Sequence, residues 1–210
     1  MLKVILLIQI SLLSTFNYAD EVVMAFGESI PPFSFPKTST GIEIEIISKA
    51  FSLHNHVLKP LYVPLARVPR TFKQKDVDAA MTDLGQDMTT LGAYYGDAAV
   101  VYDNVFITLK ERNLQISNPE DLKDLTVISF QGAIKRYPEW LNPVNDAKRY
   151  YEHNNQLLQV LTLNRGRYDV VLSDKSIFKY YSLRVQRKTG VTLKEVKLHH
   201  FIQINMDDYR

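Results

Sequence analysis

Short apolar runs alternate along this chain with amphipathic stretches, and the alternation predicts strands and helices in turn. Glu21-Val22-Val23-Met24-Ala25-Phe26-Gly27 reads as a buried strand closed by glycine. A loop must follow over 28–36, because Pro31, Pro32 and Pro36 remove backbone donors and fix φ. Ile42, Ile46, Ile47, Ala50 and Phe51 then recur at helical spacing, and Thr40 with Glu43 has the form of a capping box opening that helix. Residues 57–64 read as a second strand. Residues 65–75 read as a helix that takes Pro69 in its first turn. A long strand-like run covers 99–110. Asn118-Pro119 opens a short capped turn, and 126–134 runs from strand through a glycine turn into a helix start. A strand edge over 146–153, a helix over 156–164, a strand over 168–172 and a helix from Lys175 complete the pattern.

Two of these strands echo each other. Asp78-Ala79-Ala80-Met81-Thr82-Asp83 and Asp169-Val170-Val171-Leu172-Ser173-Asp174 share the order acid, three apolar residues, hydroxyl, acid. Each follows a segment of helical spacing, Val68 and Phe72 before the first, Leu157, Leu158 and Leu161 before the second. Repeated helix-then-strand units predict two similar α/β lobes. Ligands in such lobes bind beyond the carboxyl ends of the strands, where helix N-termini also point, so Asp83 and Asp174 are candidates to face a cleft. The competing reading makes Asp174 a cap for the following helix, and one residue can do both.

The first nineteen residues have a different character. Lys3 precedes an apolar run from Val4 to Leu13, and smaller and polar residues end at Ala19. This is the form of a secretory signal peptide, too short in its apolar part to span a bilayer. The expectation is therefore an exported, periplasmic protein, cut after residue 19. The composition of the whole sequence is that of a globular chain, 46% hydrophobic and 23% charged, with no cysteine for disulfides or a lipid anchor. Its near-balanced charge argues against a nucleic-acid partner. Residues 20–110 carry an acidic excess and 111–200 a basic one, which suits two lobes. Basic clusters with tyrosines, Lys135-Arg136-Tyr137 and Lys148-Arg149-Tyr150-Tyr151, read as solvated faces, with contact to phosphate or an anionic membrane as the alternative.

Taken in order, several pieces resemble the periplasmic solute-binding proteins of ABC importers, in the branch of extracellular solute-binding protein family 3 that includes polar amino-acid binders. They are Pro31-Pro32-Phe33, Gly41-Ile42-Glu43-Ile44-Glu45, the stretch from Arg67 to Asp78, Asp121-Leu122-Lys123, Gln131-Gly132-Ala133, and Arg165-Gly166-Arg167-Tyr168-Asp169 leading to Asp174. The resemblance covers roughly 20–210. It implies a two-lobed α/β periplasmic-binding-protein-like fold of type II, each lobe a mainly parallel sheet flanked by helices, joined by two crossing strands at 101–110 and 200–206. Lobe 1 would span 20–106, lobe 2 would span 107–200, and 201–210 would return toward lobe 1 without the final helix that family members have. It also implies that Asp174 takes a ligand ammonium group and that the backbone amides at Gly132 and Ala133 meet a carboxylate. Thr82 to Gly85 would add hydroxyl and carbonyl contacts, with Asp83 an added acid.

Two departures redirect the ligand. The arginine that clamps a carboxylate in the family belongs near Thr90, and no arginine lies between Arg70 and Arg112. The aromatic residues expected near Ile30 and Leu65 are aliphatic. A carboxylate without a guanidinium fork loses its strongest partner. Glu28, Asp83 and Asp174 then favour a cationic ligand such as an amine, while Arg67 and Arg70 are placed to reverse that preference by swinging in. Phe33 reads as a wall of the cleft or as a plug beneath its loop.

His54-Asn55-His56 and His199-His200 lack the companions that a metal site needs, and no serine or cysteine stands in a nucleophile pattern. The expectation is a non-enzymatic binding protein without metal or cofactor. It would capture a small polar ligand, amino-acid-like or an amine, for an ABC permease or a membrane sensor. It would be a monomer unless a partner completes lobe 1. Two alternatives stand beside this: a degenerate binding domain serving as partner in an envelope complex, and a cleft enzyme of dehydratase type using Glu28, Asp83 and Asp174 as acid and base.

Overall fold

The computed structural model describes residues 19–28 and 30–201. The signal-peptide reading falls almost wholly outside the described residues, as does the return strand beyond Phe201.

The first lobe is built on β1 (Asp20–Gly27), with β2 (His56–Val63) on one side and β3 (Ala79–Ala80) on the other, all parallel. Successive side chains of β1 point to opposite faces, so Met24 and Phe26 face one helix while Ala25 faces another. α1 (Ile42–Ser52) covers the first face with Ile44 and Ile47. α2 (Val68–Lys73) covers the second, packing Val68 with Ala25 and Val77. The stretch read as one helix over 65–75 divides into a 3₁₀ turn at Leu65–Arg67 and α2, with Pro69 in the first turn of α2.

The entry to α1 corrects the capping-box reading. Gly41, at φ 131°, is the N-cap residue, and no side chain caps the helix. Carbonyls from the preceding loop do that work instead: Ile42 N–H donates to Pro32 O at 3.1 Å and Glu43 N–H to Phe33 O at 3.1 Å. Thr40 pairs with Thr38 through their hydroxyls at 2.7 Å. Glu43 turns inward, buried, and accepts from the Tyr102 hydroxyl at 2.9 Å. With the first amides already satisfied, the Thr40 and Glu43 side chains are left for other partners.

The second lobe has a five-stranded sheet in the order β6-β5-β7-β4-β8. Its strands are β4 (Asn104–Leu109), β5 (Val127–Ser129), β6 (Tyr150–Glu152), β7 (Val170–Asp174) and β8 (Val196–His199). β5 runs parallel to β6 and β7, and β4 runs antiparallel to β7 and β8. The segment expected to cross between lobes at 101–110 thus contributes β4 to the middle of this sheet. α3 (Ala133–Arg136) and α4 (Pro138–Asp146) lie over one face, where Leu141 and Val144 meet Phe106, Leu122, Val127 and Leu172. α5 (Gln156–Asn164) and α6 (Lys175–Thr189) cover the other with Val160, Leu163, Ile177 and Val185. Both faces are buried, which explains the continuous apolar runs of β4 and β7. The result is two parallel-rich α/β lobes.

The echo between the lobes is structural. Asp78 opens β3 and Asp169 opens β7. Asp78 N–H donates to Val23 O at 2.9 Å while its carboxylate accepts from Val23 N–H at 2.8 Å. Asp169 N–H donates to Thr126 O at 3.0 Å while its carboxylate accepts from Thr126 N–H at 2.8 Å.

Candidate functional site

Parallel strands deliver their following loops to one edge, and the edges of the two lobes meet. The first lobe presents Glu28, the Pro64–Arg67 turn and the Thr82–Gly85 turn. The second presents the Gln131–Gly132 turn with α3, and the loop before α5. Contact between them is close. A side chain added at Gly132 would come within 3.2 Å of Leu84 Cδ1 and 3.7 Å of Ala66 Cβ. Leu65 packs against the second-lobe cluster around Phe106 and against a cluster in which Ile30 and Phe33 of the first lobe join the second. Among the described residues, a crevice of about 20 Å³ between the lobes is lined by Glu28, Ile30, Pro64, Leu65, Phe130, Gln131, Asn154 and Gln156. That is room for one or two water molecules. The aliphatic Ile30 and Leu65 are part of what fills the cleft.

The residues singled out in the sequence take different places. Glu28 is exposed at the crevice rim. Phe33 is buried, its ring 4.4 Å from that of Tyr102, as a plug under its loop. Arg67 is exposed, and its carbonyl accepts from the Thr71 hydroxyl at 3.1 Å. The Thr82 hydroxyl accepts from Leu84 N–H at 3.1 Å. Asp83 accepts from Gly85 N–H and from the Tyr95 hydroxyl, each at 2.7 Å. Gly132 adopts φ 91° and heads α3, and Ala133 is fully buried behind it with its N–H on Phe130 O at 3.3 Å.

Asp174 is 2% exposed and caps α6, its Oδ1 accepting from Ser176 N–H at 2.8 Å and Ile177 N–H at 2.9 Å. Burial raises its carboxyl above the usual range against the pull of those bonds and of one from the Asp103 backbone. The three acids read as a group are therefore dispersed: Glu28 at the rim, Asp174 inside a cap, and Asp83 in a cross-cleft pair. That pair joins the lobes, with Arg136 Nη1 3.7 Å from Asp83 Oδ1 and both side chains half-buried.

Arg136 and Glu152 are the site residues that sequence reasoning passed over. Arg136 was placed on a solvated basic face; it enters the cleft instead, one turn beyond Gly132. Glu152, at the end of edge strand β6, accepts from Gly132 N–H at 2.8 Å, Ile134 N–H at 3.1 Å and the Tyr150 hydroxyl at 2.8 Å. Of the two amides expected to meet a ligand carboxylate, that of Gly132 is thus held by a carboxylate of the chain itself, and that of Ala133 by the Phe130 carbonyl. The available signal was the spacing from glycine turn to arginine, Gly132 to Arg136, at the mouth of a predicted helix.

Behind the cleft, the passage between lobes carries its own polar contacts. Burial pushes the Glu43 carboxyl up to about 7, with the Tyr102 hydrogen bond restraining the rise. Asp103 pairs with Lys175 and lies 3.6 Å from His200 Nδ1. His199, buried, shares a hydrogen bond of 3.0 Å with the Thr108 hydroxyl. Among the described residues no three His, Asp or Glu side chains gather as metal ligands would.

No family model matches the sequence, and no curated protein matches it. Solved structures do match in fold. An ancestral arginine-binding protein bound to arginine is 15% identical, over 88% of this chain and 82% of that one, at a TM-score of 0.63. A substrate-binding protein of an ABC uptake transporter from Streptococcus pneumoniae, with bound histidine, is 15% identical over 89% of this chain and 80% of that one, at 0.59. A histidine kinase sensor domain with similarity to periplasmic binding proteins is 14% identical over the same shares, at 0.65. The chain has the two-lobed α/β fold of periplasmic binding proteins.

Proposed function

We propose that the mature chain is an exported binding protein that captures a small polar ligand between its lobes and presents it to an ABC permease or a membrane sensor. The observation that carries this reading is the division of the cleft. Asp83, on the Thr82–Gly85 turn, comes from the first lobe and Arg136 from the second, so closing the lobes assembles a charged site that neither lobe holds alone. A clamp gains affinity when its halves are each positioned beforehand. The likeness to arginine- and histidine-bound proteins supports an amino-acid-like or amine ligand, and the likeness to a sensor domain supports the sensory role as a second reading. A binding role without catalysis also suits the acids: Asp174 is engaged in a helix cap and Asp83 in an ion pair.

Native mass spectrometry of the protein taken from the exported fraction, without refolding, tests the proposal. The expected result is a mature chain starting near Asp20 with a small molecule bound, and loss of that mass in Asp83→Asn. A chain that is always empty and always held to another protein would overturn ligand capture in favour of a partner role in an envelope complex.

A further inference from the structure

We propose that the outward face of α1 is a dimer interface, on which α1 of a second copy of this chain lies antiparallel about a two-fold axis. None of the residues involved lines the crevice between the lobes, so the pairing stands apart from ligand capture.

Two sides of α1 carry apolar residues. Ile44 and Ile47 are buried against the sheet, yet Ile42 at 48%, Ile46 at 44% and Leu53 at 70% are exposed, and so is Ala50. At about 100° per residue these four fall within about 80° of arc, one strip along the length of the helix. Leu53, the C-cap residue, keeps helical dihedrals of φ −68° and ψ −19° and so continues the strip. Single exposed apolar side chains are ordinary, but a contiguous strip of them on one helix marks a surface that another surface covers.

The borders of the strip favour a second copy. Glu45 and Lys49, both exposed, line one side, and Ala50 lies on the other. Among the described residues neither charged group has an ion-pair partner, and Glu45 accepts a long hydrogen bond of 3.4 Å from Gly41 N–H. A two-fold axis crossing the helix pair at the level of Ile47 sets the charged border of one copy against that of the other and reverses its order. Glu45 then meets Lys49 of the second copy, and Lys49 meets Glu45 of the second copy, as charged borders do in paired helices. The same axis brings Ile42 to Leu53 of the second copy, and sets Ile46 between Ile46 and Ala50 of the second copy. A parallel pairing would instead place the charged border against Ala50 and leave both groups unmatched. Two helices of 11 residues bury less than the ~1,200 Å² of a standard complex, so the association is weak.

Sedimentation equilibrium of the chain purified from the exported fraction, at low salt and from about 1 to 300 µM, measures the association. The average mass is expected to rise from one chain toward two, with a Kd of about 50 µM. Ile46→Glu, in the middle of the strip, should raise that Kd about 20-fold or more, because it buries a charge in the interface. Its thermal melt at low concentration should match the wild type, since the position is exposed. Leu53→Lys should weaken association in the same way, and it serves if Ile46→Glu melts early. Glu45→Lys and Lys49→Glu each make the charged border uniform in sign, and each should weaken self-association about 10-fold. An equimolar mixture of those two variants should recover wild-type association, because each supplies the charge that the other lacks. A wild type that stays a single chain up to about 300 µM overturns the proposal and leaves the strip to residues beyond 201 or to a different protein. A dimer that both Ile46→Glu and Leu53→Lys leave intact overturns it as well, since the association then uses another surface. A mixture that associates no better than its components overturns the antiparallel two-fold.

Discussion

Asp78 and Val23 exchange hydrogen bonds in both directions, N–H to carbonyl one way and N–H to carboxylate the other. The pair ties the start of β3 to its parallel neighbour β1 with one more rung than the backbone alone supplies. Asp169 and Thr126 repeat the arrangement between β7 and β5, with additions: the Thr126 hydroxyl donates to the same carboxylate at 2.8 Å, and Arg112 Nη2 lies 2.8 Å from it. The two substitutions should therefore differ in cost. Asp78→Ala, at an exposed site, is expected to lose about 1 kcal/mol, and Asp169→Ala about 3 kcal/mol. Burial alone would raise the Asp169 carboxyl, but the Thr126 and Arg112 contacts outweigh it and hold it low. Its contribution is present at neutral pH and disappears as pH falls below the usual carboxylate range. Urea titrations at pH 7 and pH 3 check both points, since the gap between wild type and Asp169→Asn should narrow in acid.

Glu43 gives a pH dependence of the opposite sign. Its folded carboxyl titrates near 7, above the unfolded value of 4.5, so the folded chain holds this proton more tightly. The contribution is fully present below about pH 4.5, falls as pH rises, and is lost above about 7, a change of about 3 kcal/mol. Glu43→Gln keeps a neutral group near Tyr102 and should flatten the slope between pH 5 and 7. Thermal melts across that window, wild type against variant, measure the difference.

Gly41 has no tolerance for a side chain. A Cβ there would lie 2.3 Å from Phe33 O, on a backbone at φ 131°. Gly41→Ala must displace the loop carbonyls that cap α1, and is expected to cost about 3 kcal/mol or more. Chemical denaturation checks the loss. Far-ultraviolet circular dichroism should show the helix still formed in what remains folded.

Leu65 holds the lobes together by packing on the second-lobe cluster around Phe106 and on the cluster that Ile30 and Phe33 share with that lobe. Leu65→Ala removes that contact, and as a partly buried site it should cost about 1–2 kcal/mol. The lobes should also part more readily. Small-angle scattering of the ligand-free protein is expected to give a larger radius of gyration for the variant than for the wild type.

Much of the architecture was legible because it is written in short-range patterns. The β1 run, Asn118 before Pro119 with its capping box, and the Asp174 cap are each decided within a few residues. The helix at α1 was legible but its inner face was not: Ile42, Ile46 and Ala50 are exposed, and Ile44 joins Ile47 in the core. The Asp78–Asp83 and Asp169–Asp174 echo also carried over, because both copies serve one parallel-strand junction. The site was less legible, since side chains there find partners far along the chain. Arg136 meets Asp83 fifty-three positions away and Glu152 reaches back twenty to Gly132, and neither pairing leaves a periodic trace. Thr40 and Glu43 matched a capping pattern, but the Pro32 and Phe33 carbonyls reached the same amides first. Local spacing proposes such partners; tertiary approach decides among them.

β4 is the earliest strand of the second sheet in the chain, yet its neighbours β7 and β8 come more than sixty residues later. Its run Val105-Phe106-Ile107-Thr108-Leu109 is entirely buried once paired. A growing or threading chain must therefore carry this sticky segment unpaired until almost all of the second lobe has arrived, since non-local pairing waits for the loop to close. Chains ending anywhere between 110 and 169 would display it bare, as a seed for aggregation. Keeping β4 covered until β7 and β8 have arrived is therefore a requirement for folding without aggregation.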